Sequence, residues 1–341
     1  MKKKLAYVDY WSHKNTKSGD FLRDILSENF EITNFWWKEN DNIPLDQLDK
    51  FDYIFFFHVM FPYQVLKRFK NKKIMWAPMY DALNFRNNFF KKIFWKQISN
   101  LGIKILIFSK KISESIGNEN IKFLKLNYYL KPNENNESRL LKKINIFFWD
   151  RGRIRLEDWL KYFDKKEINE IIYFQKFDPN LDINGDNYLE KFKDFKIKVI
   201  KESFLPKEKF LELSKNCNVF IAPRKKEGIG IALVEAISRG QYIVGYDDAT
   251  MNEYITDEKI GFLYNEKVLN QVKAENIIDN YDFRIKNANL KYAEWNDSKR
   301  KILNFFDEKN ELVKRIYFIP LFLLDDLKYY LKKIFRINFY Y

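Results

Sequence analysis

One cysteine, Cys217, and two histidines, His13 and His58, are all the thiol and imidazole groups in 341 residues. A disulfide framework needs paired cysteines, and a zinc cage needs three or four thiolate or imidazole ligands, so both are excluded and a reducing compartment is expected. Long apolar runs are missing too. The C-terminal one covers residues 316–324 with Pro320 inside it, whereas a membrane-spanning helix needs about 20 residues. Lys2, Lys3 and Lys4 have the charge of a signal peptide, but the apolar stretch 5–8 that follows stops at Asp9, so export by that route is not expected. No repeat with a period of about 20–50 residues is visible, which excludes a solenoid.

What is there is a folded, basic chain. Hydrophobic residues make up 46% and aromatic residues 18%, too apolar for a charged tail or a disordered segment, and the length is that of about two domains. Lys and Arg number 61 against 47 Asp and Glu, a net charge of +14. Nucleic acid, an anionic membrane surface and a phosphate-bearing substrate each match that sign, as does a surface that is merely solubilised by it. Cys217 stands just ahead of an apolar run and reads as a small buried hydrophobe.

Short β-branched and aromatic runs alternate with longer segments of helical period, the pattern of an α/β protein with parallel sheets. The first series of runs is 5–10, 31–36, 52–58, 73–77, 104–109 and 122–126; the second is 144–149, 171–174, 196–200, 219–222, 242–246 and 261–264. Between them, 131–137 is rich in Pro, Asn and Glu and has the composition of a linker. The expected organisation is an N-terminal Rossmann-like domain over 1–132, a C-terminal one over 133–305, and amphipathic helices over 306–341 that pack back on the body. Open parallel sheets bind ligands beyond the carboxyl ends of their strands, so the strand-to-helix turns are where a site belongs, at a cleft where two such domains face each other.

The turn after 219–222 is the most informative. An apolar strand ends at Pro223, and Arg224, Lys225 and Lys226 make a basic turn. Glu227, Gly228, Ile229, Gly230 and Ile231 follow, and a helix carrying Glu235 runs to a stop at Gly240. Glycines at a helix N-terminus let an anion approach backbone N–H groups at the positive end of the macrodipole, which makes Gly228, Ile229, Gly230 and Ile231 candidates for holding a diphosphate. Glu227 precedes the helix and Glu235 lies about two turns in, so they face one ligand at different heights and should have separate roles.

In the frame E-G-I-G-I-A-L-V-E-A, these glutamates resemble the E-x7-E motif of retaining glycosyltransferases of the GT-B fold, the family 4-like "glycosyl transferases group 1". Residues 240–264 look like the stretch such enzymes place after the motif, and 144–155 is similar to their strand ending in a Gly-Arg turn. The resemblance implies two Rossmann-like domains facing each other across a cleft. It implies metal-independent transfer of a hexose, with retention, from a nucleotide-diphosphate sugar as co-substrate, with no cofactor and no metal. Glu227 then matches the carboxylate that contacts donor-sugar hydroxyls and Glu235 the one on the nucleotide ribose, while Arg151 takes the place of the diphosphate arginine. The second cation falls to Arg153 or Arg155, and the family's Gly-Gly turn after the first strand is reduced to Ser18-Gly19, leaving Gly19 as the N-domain phosphate contact. The acceptor is a glycan or lipid-linked hydroxyl, as in cell-surface polysaccharide or glycolipid synthesis.

His58 ends one strand and is a candidate for positioning the acceptor hydroxyl or supporting the leaving group, with packing under an aromatic loop as the alternative. Asp81 follows another strand and resembles an acidic position near the family's acceptor site, although Tyr80 stands where a histidine often precedes it. His13 and Lys17 fall in the turn after the first strand, which in this reading faces the donor phosphates. Over 85–96, Phe85, Phe89 and Ile93 recur at four-residue spacing with Lys91, Lys92 and Lys96 on the flank. Either a core helix or an interfacial helix on an anionic membrane has that pattern, the latter placing the protein in the cytoplasm, peripheral to the inner face of the membrane. Two rival functions remain: a non-catalytic nucleic-acid-binding protein, disfavoured because no recognition module is visible, and an inactive glycosyltransferase-like subunit, disfavoured by the presence of both glutamates.

Overall fold

The computed structural model describes residues 2–38, 41–83, 88–117, 119–133, 137–177, 188–201 and 207–308. Two compact units divide the chain, one formed by residues up to Leu126 together with the chain from Asp297, the other by Asn127–Asn296. The sequence-based division stands at 132 and 305, and Phe85 and nearly all of 306–341 lie outside the described residues.

In the first unit the strands are β1 (Lys3–Tyr10), β2 (Phe30–Trp37), β3 (Tyr53–Phe57), β4 (Lys73–Ala77), β5 (Lys104–Ile107) and β6 (Phe123–Lys125). They form one sheet in the order β2-β1-β3-β4-β5-β6, all parallel. The second unit has β7 (Ile144–Asp150), β8 (Ile168–Gln175), β9 (Ile197–Ile200), β10 (Val219–Ile221), β11 (Tyr242–Tyr246) and β12 (Gly261–Tyr264). Their order is β12-β11-β10-β7-β8-β9, again all parallel. Each is an α/β unit of the doubly wound kind, as the alternation of runs predicts.

Central parallel strands are covered by helices on both faces, which is why they read as unbroken apolar runs rather than alternating ones. All of β3 is buried, as is all of β10. The first core joins Ile54, Phe56, Trp76, Trp95 and Ile105, and the second joins Ile146, Phe148, Trp159, Val219 and Val244. Cys217 is buried at the entrance to β10, and burial pushes its thiol well above the usual range. The aromatic-basic segment forms the helix Asn88–Asn100, whose buried side chains are Trp95, Ile98 and Ser99. Phe89 stays 58% exposed, so the face that packs is not the one marked by Phe89 and Ile93 in the sequence.

The last described helix, Tyr281–Asp307, begins in the second unit and ends in the first. Phe306 is fully buried among the rings of Phe30, Tyr53 and Phe55. Lys104, also buried, donates to the carbonyls of Phe305 and Glu308 at 2.5 and 2.7 Å, placing a cation on the negative end of the helix. Burial pulls that lysine down to about 8.

Candidate functional site

In an open parallel sheet the strand order reverses at one point, and the loops there diverge to leave a crevice beyond the strands. In the second sheet this point lies between β7 and β10, paired with Phe148 opposite Ile221. Both turns singled out from the sequence leave the carboxyl ends of these two strands.

The turn after β7 is built on Asp150, which is 2% exposed. Its Oδ1 accepts the Gly152 N–H at 2.7 Å, and its Oδ2 accepts the Tyr173 hydroxyl. Burial first, then that hydrogen bond, pushes the phenol far above its usual range. Arg151 lies with its guanidinium 4.5 Å from the centre of the Trp149 ring. Arg153 and Arg155 are exposed, and Arg155 opens the short helix Leu156–Leu160, its N–H held by Asp158 at 2.8 Å. Tyr188 braces the same turn: its hydroxyl accepts the Leu156 N–H at 2.9 Å and donates to Glu157 at 2.6 Å. Three arginines thus leave a turn whose backbone is fixed from beneath, which suits planar recognition of phosphate oxygens.

After β10, Arg224 reaches Glu227 at 3.9 Å, and both are largely sheltered, with side chains 22% and 13% exposed. Gly230 takes φ +72° immediately before the helix Ile231–Ser238, a left-handed conformation that a side chain resists. Thr250 is fully buried and its hydroxyl bonds the carbonyls of Glu227 and Gly228 at 2.7 and 3.1 Å, which ties the loop down from the far side. The first-turn N–H groups of the helix have no acceptor within it and carry the positive end of its dipole. Glu235 is 7% exposed, about 6 Å further along the axis than Ile231. One turn beyond it sits Arg239, pulled down to about 10 by burial while Glu235 opposes that shift. Gly228, Ile229, Gly230 and Ile231 therefore form one continuous backbone approach with Glu227 at its start and Glu235 behind it.

The other sequence candidates belong to the first unit, whose strand order reverses between β1 and β3. His58 is one residue past β3, with φ +67° and its N–H on the Ala77 carbonyl at 2.9 Å. Gly19 is buried before the helix Asp20–Ser27, and a Cβ there would sit 2.9 Å from the Tyr7 hydroxyl and 3.0 Å from Asp9 Oδ2. Asp81 is exposed in a single turn, Tyr80–Ala82, beyond β4. The sequence gives no role to Thr250, Asp150 or Asp9. Asp9 had a signal, a carboxylate closing an apolar strand four residues before a histidine; Thr250 had none, because it acts through carbonyls distant in the chain. Among the described residues, no group of three His, Cys, Asp or Glu is placed to hold a metal ion.

Residues 180–294 match the family model of glycosyl transferases group 1. No curated protein matches the chain. Solved structures share its fold: a sucrose-phosphate synthase from Thermosynechococcus elongatus (10% identity, 98% of this chain and 100% of that one, TM-score 0.55) and the Anabaena protein HepE with UDP and glucose (11%, 89% and 100%, TM-score 0.56). A glycosyltransferase from Rickettsia africae is similar at 13% identity over 98% and 99% of the two chains, TM-score 0.51. Both units together thus have the fold of GT-B glycosyltransferases, and most of the second unit is similar to the glycosyl transferases of group 1.

Proposed function

We propose that the protein transfers a hexose, with retention, from a nucleotide-diphosphate sugar to an acceptor hydroxyl. The observation that carries this reading is the convergence at the β7/β10 reversal point of the Arg151–Arg153–Arg155 turn and the Glu227–Gly230 approach to a helix N-terminus. Charge that develops on the departing diphosphate is met by Arg151, by Arg153 or Arg155, and by the N–H groups from Gly228 to Ile231. These groups supply the positive charge without a metal ion, and no cofactor is needed. Glu227 holds hydroxyls of the donor sugar, with the sheltered Arg224 guanidinium 3.9 Å from its carboxylate. Glu235 holds the nucleotide ribose. The Anabaena relative with UDP and glucose makes a uridine diphosphate sugar the first donor to try.

The first unit takes the acceptor, with His58 and Asp81 as its candidate contacts. Phe89 and Phe90, 58% and 37% exposed, stand beside Lys91, Lys92 and Lys96 on one helix, a composition suited to an anionic membrane. A lipid-linked or glycan acceptor at the inner face of the cell membrane, in cell-surface polysaccharide or glycolipid synthesis, fits that attachment. No helix among the described residues is long and apolar enough to cross a membrane. The test is calorimetry with UDP, GDP and ADP, followed by proton NMR of the product from the donor whose nucleotide binds. Retention predicts a product with the anomeric configuration of the donor; the opposite anomer overturns the stereochemical part, and binding of none of the three overturns the donor site.

A further inference from the structure

The hydroxyl of Thr250 lies 2.7 Å from the carbonyl oxygen of Glu227 and 3.1 Å from that of Gly228, across 23 and 22 positions of sequence. It has one hydrogen, so it serves two successive carbonyls as one shared donor. Both carbonyls therefore point toward Thr250. In a trans peptide the C=O of one residue and the N–H of the next point in opposite directions within one plane. The Glu227 carbonyl thus fixes the direction of the Gly228 N–H, and the Gly228 carbonyl that of the Ile229 N–H, each away from Thr250. Successive N–H groups on one side of a turn make a concavity for an anionic oxygen. Gly228 has no Cβ and leaves the peptide planes on either side of it free to turn. Their orientation must be chosen from outside the loop. Thr250 is fully buried and is itself held in place: its carbonyl accepts the Glu253 N–H at 3.0 Å, and the Ala249 N–H before it goes to Asp248 at 2.8 Å. Met251 and Tyr254, in the helix Met251–Tyr254 that follows, are buried, and the Tyr254 hydroxyl donates to the Tyr128 carbonyl at 3.0 Å. The ladder between β10 and β11 sets the distance between the two turns.

We propose that Thr250 is a positioning residue for the donor diphosphate, holding the peptide planes on both sides of Gly228 so that the N–H groups of Gly228 and Ile229 face its oxygens before it binds. The proposal rests on the glycosyl-transfer reading above, and every residue in it belongs to the second unit. Dipoles that are fixed in advance stabilise developing charge without reorganising as the diphosphate departs. Without the hydroxyl, two buried carbonyls lose their donor, which is unfavourable enough to drive a rearrangement. The easiest one is rotation of a peptide plane beside Gly228. A rotated plane presents a carbonyl oxygen where an N–H stood, and attraction for the anion becomes repulsion. Threonine suits the task better than serine, because its branched Cβ restricts χ1 and keeps the hydroxyl aimed at the loop.

The test is calorimetry of wild type with UDP, GDP and ADP, followed, for the nucleotide that binds, by its displacement with the parent nucleoside. The ratio of the two affinities measures what the diphosphate adds. Thr250→Val keeps the shape of the side chain and removes the hydroxyl, so it should lower that ratio by about 10- to 100-fold. Thr250→Ser keeps the hydroxyl and should stay within about threefold of wild type. Loss of packing alone would weaken nucleoside and diphosphate alike and leave the ratio where it was. A second measurement needs no Thr250 variant to fold: in wild type labelled with [15N]glycine, the Gly228 amide proton, identified from its absence in Gly228→Ala, should move downfield with the diphosphate and stay in place with the nucleoside. A ratio in Thr250→Val within about threefold of wild type, a fall in Thr250→Ser as deep as in Thr250→Val, or a Gly228 amide that the diphosphate does not move overturns the role of Thr250 while leaving the donor site standing. Binding of none of the three nucleotides to wild type overturns the donor site, and the role of Thr250 with it.

Discussion

Glu227 and Glu235 are eight residues apart, yet their surroundings divide their work. Glu227 is in a loop beside Arg224, whereas Glu235 is buried in a helix, and the proposed roles follow that difference, a sugar contact for the first and a ribose contact for the second. Glu227→Ala should therefore lower kcat by about 100-fold or more while UDP affinity stays within about twofold, since the lost contact matters in the transition state. In its proposed role on the ribose, Glu235 serves ground and transition states alike, so Glu235→Ala should weaken UDP binding by about 1.5–3 kcal/mol and raise KM. Calorimetry with UDP and steady-state kinetics on the two variants check this, and the reverse pattern would mean the roles are exchanged. The E-x7-E spacing and the glycines between were legible in the sequence because they are local. Thr250, Asp150 and the Asp9–His13 pair depend on partners brought together by sheet pairing or by a helical turn, and they became visible only with the fold.

At the scale of elements, every run of the sequence reading corresponds to a strand, and central ones such as β3 and β10 are buried on both faces and leave a continuous apolar signature. Their ends were less legible. The run 104–109 gives a strand of only Lys104–Ile107, since Ser109 turns its side chain to the Lys111 N–H and starts the next helix. Edge pairing is tight between β11 and β12. A Cβ on Gly261 would fall 2.3 Å from the carbonyl oxygen of Ile243, a backbone atom that cannot step aside without breaking the ladder. Gly261→Ala should cost about 1–3 kcal/mol in urea unfolding, the usual range for forced overpacking. The helix Tyr281–Asp307 adds a pH effect. Asp307 accepts from Lys3 at 2.7 Å, Tyr53 at 2.6 Å and Lys73 at 3.0 Å, and these bonds, that from Lys3 first, hold its carboxyl well below the usual range. Because the unfolded chain binds the proton more readily, this stabilisation is complete above the ordinary carboxylate range near 4 and is lost as pH falls below it. Urea midpoints of wild type and Asp307→Asn should differ most at pH 6 and converge toward pH 3.

For the whole molecule, the net charge of +14 and the exposed aromatic-basic helix bear on where the protein works. Wild type should sediment with vesicles of anionic phospholipid at low salt, and changing Lys91, Lys92 and Lys96 to Glu should reduce the bound fraction several-fold; indifference of wild type to such vesicles would point to a soluble acceptor. The course of the chain between its two units matters as well. It leaves the first unit after Leu126, builds the second, and returns at Asp297. Phe306 and the carbonyls that bind Lys104 thus come from residues made only after the second unit is complete. At about 5–20 residues per second, a ribosome needs roughly 10–30 s to cover that interval. Until then the nascent first unit shows water the side of its sheet that Phe306 will cover, formed by Phe30, Tyr53 and Phe55. A transcript cut short anywhere before the helix Tyr281–Asp307 therefore releases a chain with an open apolar face, which the cell's quality-control machinery is equipped to find.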